Sequence, residues 1–305
     1  MAVGRVVLVA GVLVLLFIPY LLWGTGLMTA RSQAVLRTEF SKAQQRADVS
    51  TPSTIANPAP HGPVAQAAPP ILDPAVGSAV GTITIPKIDL SMVVVEGTGE
   101  AQLQTGPGHY PGTPLPGEKG NAAIAGHRTT YLHPFYNLNE LVPGDSITIV
   151  TLQGIFLYHV TGSVAVPPTD VSVVDETRNP TLTLTTCNPR YSASQRLVVH
   201  ARLVASILAN PRHIVTSVPT PASKSAAHNA ARNAAHSASA TPAHDWTAAI
   251  LWGVAVAVLT TVLWMWERRN RGAKRVAVVV GGLIAWLVVV FFFFQVAAPL
   301  LPASY

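Results

Sequence analysis

The chain carries a single cysteine, Cys187, so its position matters more than its presence. A thiol attacks as the thiolate, and near neutral pH it needs a base or a cation beside it. Cys187 closes the alternating segment TLTLTTC, residues 181–187. A strand would place Leu182, Leu184 and Thr186 on one face and Thr181, Thr183, Thr185 and Cys187 on the other. The leucines mark the core face. Cys187 therefore stands off it, at the open end of the strand. The competing role for a lone cysteine is a small buried hydrophobe.

The histidines between residues 81 and 205 are His109, His127, His133, His159 and His200. His159 in LYHVTG and His200 in VVHARL are mid-strand and expected to be packed or on an outer face. His109, His127 and His133 fall in loops. His127 closes NAAIAG and opens RTTYLHP, the kind of junction that site residues occupy. Arg196 opens the segment RLVVHARLV, and a hairpin through NPRYSASQ would return it beside Cys187. There a guanidinium can stabilise a developing oxyanion. One cysteine excludes an intramolecular disulfide and a multi-cysteine zinc site. His213, His228, His236 and His244 lack ligand spacing, and no calcium cluster is visible. No metal and no cofactor are expected.

These groups need a scaffold, and the pattern between 81 and 205 is strand-like. Residues 82–88, 92–97, 121–127, 146–151, 154–166, 181–187 and 196–204 are rich in Val, Ile and Thr, and Gly, Pro and Asp punctuate them. One helical turn is expected near 134–141. The fold class is mainly β, a barrel or sandwich with short helices. Residues 107–117 form a Pro- and Gly-rich irregular loop, and such loops are often functional.

The cysteine in TLTTC, the arginine opening RLVVHARL, and AGHR upstream together resemble the sortase signature. The stretch GPGHYPGTPLPGEKGNAAIAGHRTTY is most similar to class E sortases, membrane-anchored transpeptidases of high-GC Gram-positive bacteria. The resemblance implies an eight-stranded β-barrel over 81–205. It implies Cys187 as nucleophile, His127 as the acid and base for the leaving and incoming amines, and Arg196 on the signal backbone and oxyanion. It also implies cleavage of a Leu-Ala-x-Thr-Gly signal between Thr and Gly, and transfer to a peptidoglycan precursor amine. Tyr110, in the loop before the His127 strand, resembles a pocket residue for the alanine of the signal. Thr185 and Thr186 are expected to line the groove. Secreted proteins bearing that signal, the cell-wall amine and membrane lipid are the expected partners.

Of the 305 residues, 49% are hydrophobic and only 11% charged, unlike an ordinary soluble domain. The excess lies in 6–23, 246–266 and 276–301, each read as a transmembrane helix by length. The first is longer than a signal-peptide core and is read as an uncleaved anchor. The basic segment ERRNRGAKR, 267–275, marks the cytoplasmic side, with residues 1–5. Residues 24–80 and 206–245 read as extracellular linkers around an extracellular catalytic domain. The protein is thus expected at the cell membrane as a multi-pass chain. The net charge of +6 has no basic stripe interleaved with aromatics, so nucleic acid is not an expected partner.

Other readings differ in specific residues. An L,D-transpeptidase would want an SHGC-like context, absent around Cys187. A papain-like hydrolase would put its cysteine before its histidine. A pilin-polymerising sortase would want a lid; 47–80 is long enough, but Asp73 precedes Pro74 rather than an aromatic residue. A non-enzymatic membrane-tethered β-domain would leave Cys187 structural.

Overall fold

The structure, a computed structural model, describes residues 13, 16, 17, 20, 25–46, 65–209, 247–269, 282 and 285–294. The chain clusters into two compact units, residues 25–240 with 304–305, and residues 1–24 with 241–303.

The first unit begins with helix α1, Thr25–Arg46, and continues into β1 (Ala79–Ile85), β2 (Leu90–Glu96), the short helix α2 (Glu100–Leu103) and β3 (Gly108–His109). Next come β4 (Asn121–Ala125), β5 (Ser146–Thr151), β6 (Gly154–Val166), β7 (Thr181–Asn188) and β8 (Gln195–Leu208). The strands close a barrel in the order β1-β2-β3-β4-β7-β8-β6-β5. Alternation explains the interior. Ile83, Ile85, Ile147, Ile149, Phe156, Leu182 and Leu184 are all fully buried in one cluster. Each such side chain contributes roughly 1.5–3 kcal/mol of burial free energy.

The expected eight-stranded barrel is present, but one strand was not visible as such in the sequence. The two residues of β3 lie inside the Pro- and Gly-rich loop. They pair with Val95 and Glu96 on one side and with Ala125 and Ile124 on the other. Their strand character comes from tertiary pairing, not from local pattern. The helical turn expected near 134–141 is a 3-10 turn, Leu138–Glu140.

Two parts of the segment read as a linker pack on the barrel. From α1, the Gln33 amide donates to the carbonyls of Val93 and Thr105 and accepts from the Val93 N–H. Thr29 donates to the Gln104 carbonyl at 2.8 Å. Residues 65–78 form a strap: Ala68 bridges to Glu118, and Gln66 exchanges hydrogen bonds with the Ser206 hydroxyl. Polar side chains with long-range backbone partners hold these segments, and Leu36 of α1 also packs in a buried apolar cluster with Val93 and Val95. Residues 47–64 and 210–246 lie outside the described residues.

In the second unit, Tyr20, Val256, Val290 and Phe294 form an apolar cluster, and Trp286 donates to Thr260. The expectation of three transmembrane helices is corrected here. Among the described residues, no helix is long and apolar enough to cross a membrane. Helix α3, Thr247–Arg269, covers most of 246–266 but runs on into Glu267, Arg268 and Arg269. Thr260 and Thr261 lie within it, their hydroxyls donating back to the carbonyls of Val256 and Ala257. Residues 282 and 285–294 are helical. Most of 6–23 and of 276–301, and residues 270–275 of the basic segment, lie outside the described residues.

Candidate active site

The site is assembled by strand register. Strands β4 and β7 run parallel in unbroken register from Asn121↔Thr181 to Ala125↔Thr185. The pairing continues past the end of β4: the Gly126 N–H donates to the Thr185 carbonyl, and the Thr186 hydroxyl donates to the Gly126 carbonyl at 2.7 Å. His127 is therefore brought level with Cys187. On the other side, β8 is antiparallel to β7, and Arg196 is the direct register partner of Cys187. Its Nη1 lies 3.6 Å from the Cys187 Sγ. His127, Cys187 and Arg196 thus form a row across three adjacent segments, with the cysteine in the middle. Neighbouring strands lie ~4.8 Å apart.

Gly126 is required by close approach. A Cβ there would stand 2.6 Å from the Phe135 ring, whose backbone N–H donates to the His127 carbonyl. Beyond His127, Tyr131, Leu132 and His133 all hold positive φ, a strained conformation for three non-glycine residues in succession. That turn brings the Tyr131 ring to 4.8 Å from the His127 ring. The start of α1 touches the same turn, through the Thr25 hydroxyl to the Tyr131 N–H.

Burial sets the electrostatics. Cys187 is 1% exposed and His127 3%. Burial pushes the thiol up to about 11, against a downward pull from Arg196 and Arg128. Burial pushes the His127 imidazole down to about 4. The resting pair is a neutral thiol and a neutral imidazole. The thiolate–imidazolium form is a minority, and its fraction is constant between the two values, because thiol ionisation gains with pH what imidazole protonation loses.

The other expected residues divide. The Tyr110 hydroxyl shares a 3.1 Å hydrogen bond with Thr185, which is on the Cys187 face of β7. Burial raises the Tyr110 hydroxyl, and both Arg196 and Cys187 act on its charge. Thr186 has the opposite parity and is spent on the Gly126 carbonyl, so it supports the strand junction rather than lining the same face. Among the loop histidines, His109 is held by Glu96 at 2.8 Å and by the Pro114 carbonyl, and His133 packs on Tyr136. Neither joins the row. The strap residues Ala68, Pro69 and Ile71 bond to Gly117, Gln153 and Glu118, away from Cys187. Among the described residues, no group of three or more acidic, histidine or cysteine side chains could hold a metal ion.

Sequence reasoning missed Arg128. It is 4% exposed and donates from Nη1 to the Cys187 carbonyl and the Asn188 side chain, both at 2.8 Å. Its Nη2 donates to Asn139 at 2.8 Å. Its place directly after His127 in AGHR was the available signal, but adjacency alone does not show where a side chain turns.

Residues 83–204 match the sortase domain family. The chain is 31% identical to sortase SrtE1 of Streptomyces coelicolor over 67% of its own length and 56% of that protein. It is 33% identical to sortase D of Bacillus subtilis over 43% of its own length and 67% of that protein. A solved sortase E from Streptomyces avermitilis is 36% identical, covering 44% of this chain and 93% of that one, with a TM-score of 0.41. The match thus spans little more than half the length of SrtE1.

Proposed function

Because this chain belongs to the sortase family, we propose that it is a cysteine transpeptidase that transfers secreted proteins to a cell-wall amine, with Cys187 as nucleophile. The observation that carries this reading is the register row, with Cys187 between His127 and Arg196. A merely structural cysteine would need neither neighbour.

The chemistry follows from the row. Cys187 gives its proton to His127, forming the imidazolium, and its sulfur attacks the threonine carbonyl of the signal. Arg196 faces the oxyanion that forms. The Thr–Gly bond breaks as the imidazolium of His127 protonates the departing glycine amine, leaving a thioester on Cys187. An incoming amine then attacks the thioester, His127 accepts its proton, and the thiolate leaves. The minority ion pair is the reactive form.

The motif resemblance to class E sortases implies a Leu-Ala-x-Thr-Gly signal, and the similarity to SrtE1 is in keeping with that class. Tyr110 and Thr185 are the pocket residues for its second position. A peptidoglycan precursor amine is the acceptor, which places the work outside the cell. The test uses the full chain with such a peptide and a diaminopimelate-type or oligoglycine amine, beside Cys187→Ala, followed by mass spectrometry. A threonine–amine product that vanishes in the variant supports the reading. Hydrolysis as fast as transfer overturns it, because a transpeptidase thioester must outlive water.

A further inference from the structure

Arg128 presents an unusual arrangement of charge. A guanidinium stays charged at any ordinary pH, and burying one without a carboxylate is costly. Arg128 takes no part in the ion pairs His109–Glu96 and Arg190–Glu140. Its three acceptors are neutral: the Cys187 carbonyl and the amide oxygens of Asn188 and Asn139. The Asn139 oxygen also accepts from Arg190 at 3.4 Å, and Arg190 donates to Asn137. Side chains that could have been carboxylates at no change in shape are carboxamides. The positive charge is left unneutralised one peptide away from the only thiol.

We propose that Arg128 is a positioning residue that fixes the Cys187 end of β7 and, through neutral Asn139 and Asn188, keeps an uncompensated positive charge beside the thiol. It would act through Cys187 and touch no substrate. The nucleophile then has two cations with different tasks. Arg196 lies at the sulfur itself, on the strand across from it. Arg128 approaches from the carbonyl side, on the segment carrying His127. The titratable and charged groups around the pair are His127, Tyr110 and Arg196 near the thiol, and Arg190 and Tyr136 near the guanidinium. The carboxylate in this neighbourhood, Glu140, stands 4.0 Å from Arg190 and forms no ion pair with Arg128. A carboxylate at position 139 would strengthen the bond to Arg128 while cancelling its field, so bond and charge can be separated by one isosteric change.

This inference rests on Cys187 being the nucleophile, but its test does not need turnover. The chain has one cysteine, so iodoacetamide labelling reports only Cys187. The experiment compares the pH dependence of labelling, and transfer kinetics, in the full chain and in Asn139→Asp, Arg128→Gln and Arg128→Lys. In Asn139→Asp the melting temperature is expected to hold or rise, while labelling at pH 8 falls roughly tenfold, one unit of thiol pKa. kcat falls in step and KM holds. Arg128→Gln is expected to shift labelling in the same direction. Should that variant not fold, Arg128→Lys replaces it: the charge remains, so the labelling profile stays within about twofold of the parent, while kcat drops as the bonds to Asn139 and Asn188 are lost. A labelling profile unchanged in Asn139→Asp overturns the electrostatic role and leaves Arg128 a structural tie. Absence of any ligation product in the parent chain defeats the transpeptidase reading instead, and leaves the labelling comparison intact.

Discussion

His109 and His127 are both buried, at 0% and 3% exposure, and both follow or end a short strand of the same barrel. They titrate in opposite directions. Burial pushes His109 down, but its bond and charge attraction to Glu96 outweigh this and hold it above its ordinary value. His127 has burial as its dominant influence and falls to about 4. The difference is one carboxylate. Where the barrel needs a clamp beneath the Pro- and Gly-rich loop, it buries a complete ion pair. Where it needs chemistry, it buries a thiol and an imidazole beside arginines, with carboxamides in the places of carboxylates. The reactive end is incomplete in one sense, that the acceptors of Arg128 are all neutral, and the signal peptide's developing oxyanion brings negative charge to it.

The largest expected effects fall on the incomplete end. Cys187→Ala should abolish transfer, and His127→Ala or Arg196→Ala should lower kcat/KM by on the order of a thousandfold or more while leaving the melting temperature within a few degrees. Intact-mass detection of the thioester, with circular dichroism for the fold, checks both halves. A large loss of stability in these variants would erase the distinction between the two regions.

The complete end should respond the other way. Glu96→Gln leaves His109 buried without its counter-charge, and a cost of about 3–5 kcal/mol is expected in denaturant unfolding. Activity per folded molecule should change little. Loss of activity without loss of stability would mean that Glu96 belongs to the chemistry.

The two histidines also give opposite pH signatures. The folded pKa of His127 is depressed from 6.5 to about 4, so below 6.5 the unfolded chain binds a proton that the folded chain refuses. Stability should fall as pH drops from 6.5 towards 4, by about 3 kcal/mol in all. His109 is raised, so its contribution is fully present below 6.5 and is lost as pH rises through its folded value. His127→Gln should flatten the acid limb of the stability curve, and Glu96→Gln the neutral one. Stability measured by urea at half-unit pH steps separates them.

The smallest expected effect is at Tyr110. Tyr110→Phe removes the hydrogen bond to Thr185 but keeps the ring, and should change Leu-Ala against Leu-Pro signal preference by about two- to fivefold, roughly 0.5–1 kcal/mol. An unchanged ratio in a competition assay would remove this hydroxyl from the specificity pocket.

Much of the barrel was legible because its strands alternate: 154–166 reads as a strand from the sequence and is one in the structure. β3 was not, because two residues between glycines and prolines have no period and become a strand only by pairing on both sides. The site row was legible where hairpin logic applies, as for Arg196 opposite Cys187. His127 required a parallel pairing across a long separation, which spacing alone does not fix. The parity of TLTLTTC already placed Thr186 with the leucines, so its turn away from the Cys187 face follows from the pattern. Arg128 and the docking of α1 were hidden because they depend on side-chain to backbone bonds. The apolar runs at 6–23, 246–266 and 276–301 were read by length; helix α3 runs past the second of them into the first three residues of the basic segment, and no described helix is long and apolar enough to cross a membrane.

The measurement that bears most directly on the incomplete site is a paired pH titration of the full chain from pH 6 to 9. One arm is iodoacetamide labelling of Cys187, and the other is kcat/KM for signal transfer. With the thiol near 11 and the imidazole near 4, labelling should rise about tenfold per pH unit while kcat/KM stays flat, because only the minority ion pair reacts. Labelling that has already reached its plateau at pH 6 would mean a thiolate formed at rest, and would contradict a resting centre of neutral thiol and neutral imidazole.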